Sequence, residues 1–147
     1  MRDFAAAEGY FQASRTIFQA IGNRSAFANS LLNLGFLKYE QADYRTAPTY
    51  FHQCMTLYTQ IGARDGIGSC LLNMGHVLFE LGEYGAAWQH LEQSFAISQQ
   101  IGNVGDQARC HTVWAKLCYI KGDYQTARIW KRPLPSFART AFSTRCV

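Results

Sequence analysis

The chain has 147 residues, 48% of them hydrophobic and 16% charged, a balance that excludes a disordered polymer and leaves enough chain to bury a core. No apolar run approaches the roughly 18 residues that span a bilayer, and Asp3 and Glu8 interrupt the stretch where a signal peptide needs about 7–15 unbroken apolar residues, so a soluble, cytoplasmic protein is expected. The net charge of +4 belongs to one end: residues 1–127 carry nine basic and ten acidic side chains, residues 128–147 five basic and none acidic, so the body is not expected to bind nucleic acid.

Taken in chain order, the first apolar pattern runs over 4–21, with Phe4, Ala7 and Phe11, and closes on Ile21-Gly22. A helix over 24–41 follows, carrying Leu31, Leu34 and Gly35, and the short stretch Ala42-Asp43-Tyr44 turns it into a helix over 45–61 with Ala47 and Phe51. The pattern then repeats. In 64–81, Cys70, Leu71, Met74, Leu78 and Leu81 fall at three- and four-residue steps, the spacing of one helix face. Gly82-Glu83-Tyr84 turns the chain into 84–101, where Ala87, Leu91, Ser94, Phe95 and Ile101 do the same. A helix over 104–121 and a turn at Gly122-Asp123-Tyr124 begin a third copy. Its second helix, due from Tyr124, is expected to stop near Ile129 or Trp130, because Pro133 and Pro135 remove helical donors and clash with the preceding turn.

The copies are 40 residues apart on several columns. Ile21-Gly22, Ile61-Gly62 and Ile101-Gly102 align, as do Asn33-Leu34-Gly35 with Asn73-Met74-Gly75, and Ala7 with Ala47, Ala87 and Ala127. A fixed period of this size marks stacked supersecondary units, each unable to bury its own apolar stripe, that share one continuous core. The Ile-Gly pair reads as punctuation: glycine ends a helix in a left-handed conformation, with an apolar neighbour packing back. The expected division is a helical repeat domain over 1–130, comprising a half repeat (4–21), repeats 24–61 and 64–101 and a truncated 104–130, followed by an irregular basic tail over 131–147.

This pattern resembles the tetratricopeptide repeat, W-x2-L-G-x2-Y then A-x3-F then P. Here it reads Leu31-x2-Leu34-Gly35 then Ala47-x3-Phe51, and Leu71-x2-Met74-Gly75 then Ala87-x3-Leu91; His111-x2-Trp114-Ala115 then Ala127 is a weaker third copy. The usual repeat has 34 residues; a 40-residue unit ending in Ile-Gly looks like the longer variant of spindle-orientation adaptors and of bacterial signalling ATPases and transcription regulators. The resemblance implies an all-α, right-handed solenoid of antiparallel helix pairs, about three repeats long, whose first helix in each pair lines a concave face.

It also implies which residues face inward: Asn33, Asn73 and Val113 in one slot, Phe36, His76 and Lys116 in the next, Tyr39, Phe79 and Tyr119 in a third, with Ser69 and Arg109 in an earlier one. Asparagine offers both a donor and an acceptor, so Asn33 and Asn73 form the start of a ladder that, in related repeats, holds an extended peptide; the other reading is that they satisfy local backbone or water. The aromatics at 36, 39, 79 and 119 either supply apolar pockets beside the ladder or pack against the next helix. Lys116 and Arg109 make the third-repeat end positive, which suits an acidic ligand. The family's carboxylate-binding arrangement needs more Lys and Arg in these slots and is not implied.

Catalysis is not expected. The four histidines fall on different helices and faces, no HExxH or phosphate-cradling glycine motif occurs, and Cys110-His111 point about 100° apart on a helix. His111 and Cys118, seven residues apart, could touch, but such a contact in a packed interior is inert. Five cysteines without CxxC read as reduced, buried thiols, Cys70 and Cys110 sharing a small-residue column with Ser30. No metal or cofactor is expected. The expected role is a non-enzymatic scaffold binding a protein or peptide on its concave face, with self-association through uncapped repeat ends as a further partner mode. The alternative is a structural or sensor segment of a larger signalling ATPase or transcription regulator with no ligand of its own. Neither end of the repeat pattern carries a polar cap, so the chain is expected to be a fragment of a longer repeat protein, with a reading-frame slip near codon 130 producing 131–147. The rival reading of that segment is a native basic tail for anionic partners.

Overall fold

Local chemistry sets several of the helix ends. The computed structural model describes residues 2–127, which form six α-helices: α1 (Phe4–Ala20), α2 (Arg24–Glu40), α3 (Ala47–Ile61), α4 (Arg64–Glu80), α5 (Tyr84–Ile101) and α6 (Val104–Ala127). Asp3 caps α1 by accepting from the Ala6 amide, and Asn23 caps α2 by accepting from that of Ala26, each at 3.0 Å. Pro48 at the first turn sets the start of α3 two residues later than the spacing predicts, after a turn in which the Asp43 carboxylate accepts from the Thr46 amide at 3.1 Å.

The Ile-Gly pairs do end helices, through glycine rather than isoleucine. Gly62 and Gly102 have φ of +71° and +72°, and each closure is a double hydrogen bond: Gly62 N to Thr59 O (3.2 Å) with Ala63 N to Tyr58 O (2.9 Å), and Gly102 N to Gln99 O (3.3 Å) with Asn103 N to Ser98 O (2.8 Å). Ile21, Ile61 and Ile101 remain exposed, so their expected packing role is small. Arg24 donates to Gln60 and Arg64 to Gln100, the same side-chain tie repeated 40 residues on.

Every helix packs against the next, and α4 also packs against both α2 and α6, whereas among the described residues α1, α3 and α5 make no comparable contact with one another. This is an all-α solenoid of about three helix pairs. The side on which α2, α4 and α6 lie together is the inner, concave one.

The core runs between these layers. On α3, Ala47, Phe51, Cys54 and Tyr58 are buried, and on α5 Ala87, Leu91, Ser94 and Ser98 occupy the same columns, also buried. The glycine of the Leu-Gly pair lets the paired helix approach. A Cβ on Gly35 would stand 2.6 Å from the Phe51 ring, and one on Gly75 2.9 Å from the Leu91 side chain. On α1 the matching residues Ala7, Phe11, Ser14 and Phe18 are only half-buried, and no α1 residue is fully buried.

One expected turn is absent. Gly122-Asp123-Tyr124 does not reverse the chain, and α6 continues to Ala127. The tripeptide matches 82–84, but a reversal is stabilised by the helix that folds back, and the sequence beyond Tyr124 lacks the apolar columns of α3 and α5. The expected helix stop near Ile129 and the segment 131–147 lie outside the described residues.

Two glycine substitutions should move stability in opposite directions. Gly35→Ala forces a methyl against Phe51 and should cost about 1–3 kcal/mol in urea unfolding. Gly9→Ala, mid-helix with nothing within 4 Å of the new Cβ, should gain about 0.5–1 kcal/mol.

Candidate functional site

The concave face changes character along its length. At the α1–α2 end, Asn33 and Phe36 are exposed and line a pocket of about 570 Å³ with Phe4, Ala7, Phe11 and Leu37. Its lining is mostly apolar, with Arg2 paired to Glu40 at the rim. Phe36 stacks on Tyr39, ring centroids 6.3 Å apart. Lys38, beside the pocket, is held by the Glu8 carboxylate at 2.9 Å, a contact that raises its pKa.

The middle of the face is aromatic. Tyr39 is half-buried between Tyr44 (5.6 Å) and the edge of His76 (5.9 Å), and its hydroxyl donates to Glu80 at 3.4 Å. Burial and the Glu80 charge push its pKa up to about 12. The Nε2 atom of His76 is buried with no hydrogen-bond partner among the described residues. Burial, with the positive charges of Arg109 and Lys116 adding to it, pulls the His76 pKa down to about 4. Phe79 meets Tyr84 at 5.6 Å and carries the Lys116 ammonium 5.8 Å from its ring centroid.

The α4–α6 end is tied up internally. Asn73 is buried; its Nδ2 donates to the Ser69 carbonyl (2.9 Å) and its Oδ1 accepts from Arg109 Nη2 (3.2 Å). Arg109 also donates to Asp106 (3.3 Å), which accepts from Ser69 (3.3 Å) and Asn103 (3.1 Å). Arg109 is therefore largely neutralised, leaving Lys116 as the freer cation. Val113 is buried and Tyr119 is 77% exposed.

The two asparagines of the expected ladder thus have different surroundings: Asn33 opens onto the pocket, and Asn73 is engaged with its neighbours. Sequence reasoning missed Asp106, although its column holds Ala26 and Gly66, so a carboxylate there was a visible anomaly. It also missed the contribution of Phe4 and Phe11 to the pocket; the column mates of Phe11, Phe51 and Leu91, are core residues and those of Phe4, Tyr44 and Tyr84, pack against the core, so only the exposure of α1 reveals them. His111 packs edge-on against Phe95 (5.0 Å) and Trp114 (5.4 Å). Cys54, Cys70 and Cys110 are buried free thiols, but Cys118 is disulfide-bonded, a correction to the all-reduced expectation. Among the described residues no group of three His, Cys, Asp or Glu side chains could hold a metal ion, and no helix is long and apolar enough to cross a membrane.

A family model described as a tetratricopeptide repeat matches residues 67–101, the span of α4 and α5. With the repeating columns and the stacked helix pairs, this match supports a tetratricopeptide repeat assignment. Such repeats generally mediate protein–protein interaction and are generally non-catalytic. No curated protein matched the chain.

The burial of His76 gives a pH signature. Its folded pKa lies below the ordinary 6.5, so the unfolded chain takes up the proton first, and the stability held above pH 6.5 is lost as pH falls towards 4. Comparing urea midpoints of wild type and His76→Phe across that window should show a steeper acid loss in wild type, by at most about 3 kcal/mol.

Proposed function

We propose that this chain is a protein-interaction module that takes a peptide or protein segment on the face formed by α2, α4 and α6, anchored in the α1–α2 pocket. What supports the reading is the pocket itself: an open, mostly apolar recess with Phe36 and Asn33 presented to solvent at its edge. Phe36 offers apolar area for an anchor residue, and Asn33 offers a donor and an acceptor for a backbone amide beside it. Tyr39, His76 and Phe79 continue the apolar track, while Lys116 and Tyr119 lie at the far end, where an acidic side chain would be favoured.

A second reading is a structural or sensor segment of a larger signalling protein, with the pocket closed by a neighbouring helix. It draws on the half-open α1 columns at Ala7, Phe11, Ser14 and Phe18, whose counterparts on α3 and α5 are buried. A second copy seated on the same face is a third occupant and would appear as concentration-dependent sedimentation.

Selection from a library of displayed 15-residue peptides, followed by fluorescence anisotropy with the winners, tests the first reading. The double variant Asn33→Ala/Phe36→Ala should weaken binding at least tenfold. Asn73→Ala should mainly lower stability, by about 1–3 kcal/mol, because it strips Arg109 of a partner. Unchanged binding in the double variant would retire the pocket as anchor, and failure to select any peptide would favour the second reading.

A further inference from the structure

Wherever the second helix of one pair passes the first helix of the next, the period places two small polar side chains face to face. At the α1–α2 boundary these are Ser14 and Ser30, with hydroxyl oxygens 3.4 Å apart. At the α5–α6 boundary Ser94 and Cys110 are both fully buried, Ser94 donating to the Gly68 carbonyl (2.8 Å) and the Cys110 thiol to the Leu91 carbonyl (3.7 Å). At the central α3–α4 boundary both members are cysteines: Cys54 Sγ lies 2.8 Å from Cys70 Sγ, and both residues are completely buried. The three slots are the same columns, 14/54/94 and 30/70/110, filled Ser–Ser, Cys–Cys and Ser–Cys. Only the central slot holds two groups that can be joined.

We propose that Cys54 and Cys70 form a redox-closable pair that locks α3 to α4 across the central repeat boundary. The sulfurs approach each other from separate helices joined by the short Gly62 turn, 16 residues apart in sequence, so little rearrangement separates the dithiol from the 2.03–2.05 Å bond of a disulfide. The co-reactant is a small disulfide. The thiolate of one cysteine attacks it, forming a mixed disulfide and expelling one small thiolate. The second cysteine's thiolate then attacks the protein sulfur of that mixed disulfide and expels the other. One sulfur–sulfur bond breaks and one forms. Two electrons pass from the protein to the reagent, and the two thiol protons pass to the expelled thiolates.

Access sets the rate. Neither thiol meets solvent in the closed stack, and burial and the Cys54 contact hold the Cys70 thiol in its protonated form. Reaction therefore waits on opening of the α3–α4 boundary, a local event in an architecture whose units contact only their neighbours. The closed bond would then fix α3 and α4 relative to each other, stiffening the stack at its central boundary.

The test uses the full chain incubated with glutathione disulfide, with and without sub-denaturing urea, then alkylated and digested with trypsin. Cleavage after Arg45, Arg64 and Arg109 puts Cys54 in peptide 46–64 and Cys70 in peptide 65–109, apart from Cys110 and Cys118. The expected product is the 46–64/65–109 cross-link, forming several-fold faster in low urea than in none. An upward Tm shift of roughly 5–10 °C should accompany it. Cys54→Ser recreates the Ser–Cys pairing that the α5–α6 boundary already tolerates, so it should fold; its Tm should not rise on oxidation, and its Cys70 should carry at most glutathione. Cross-linking only after complete unfolding, or an equal Tm rise in Cys54→Ser, would overturn the proposal.

Discussion

A pair of short helices cannot cover its own apolar stripe, and everything in this molecule follows from that constraint. The stripe of α3, from Ala47 to Tyr58, is buried because it lies between α2 and α4. The stripe of α5 is buried for the same reason. Gly35 and Gly75 set how closely the layers meet, since the ring of Phe51 and the side chain of Leu91 occupy the space a methyl group would need. On the other side α4 meets both α2 and α6, and these contacts form the inner face.

The inner face is not uniform, although the period that builds it is. Near α1 it is open and apolar. Near α6 it is a closed polar network in which Asp106 gathers Ser69, Asn103 and Arg109, and Arg109 reaches back to Asn73. One end is therefore suited to receiving a side chain, and the other to holding the stack in register. His76 sits between them, its nitrogen desolvated by aromatic neighbours.

The fold was legible because many columns repeat one message. Ala47 and Ala87, Gly35 and Gly75, and the Ile-Gly closures each imply the same helix pair, so the first five helices fall within two residues of expectation. The site was less legible because periodicity names a face and not a neighbour. Asn33 and Asn73 share a column, yet their surroundings are set by whatever the next inner helix brings. For Asn73 that is Arg109, 36 residues away. The turn at 122–124 failed for a related reason: the similar Gly82-Glu83-Tyr84 reverses the chain where α5 packs back onto α4. The pocket lay hidden because Phe11 occupies a column that elsewhere is core, and Phe4 one that elsewhere packs against it.

The half-open state of α1 has a dynamic consequence. A helix with no fully buried residue has the least to lose by fraying, so α1 should show the weakest hydrogen-exchange protection of the stack. Yet α1 supplies one wall of the pocket. A guest entering there would meet a wall that is partly melted, and its affinity would carry the cost of ordering that helix. Occupancy and helix formation would then be coupled equilibria, the guest acting as the missing core of α1.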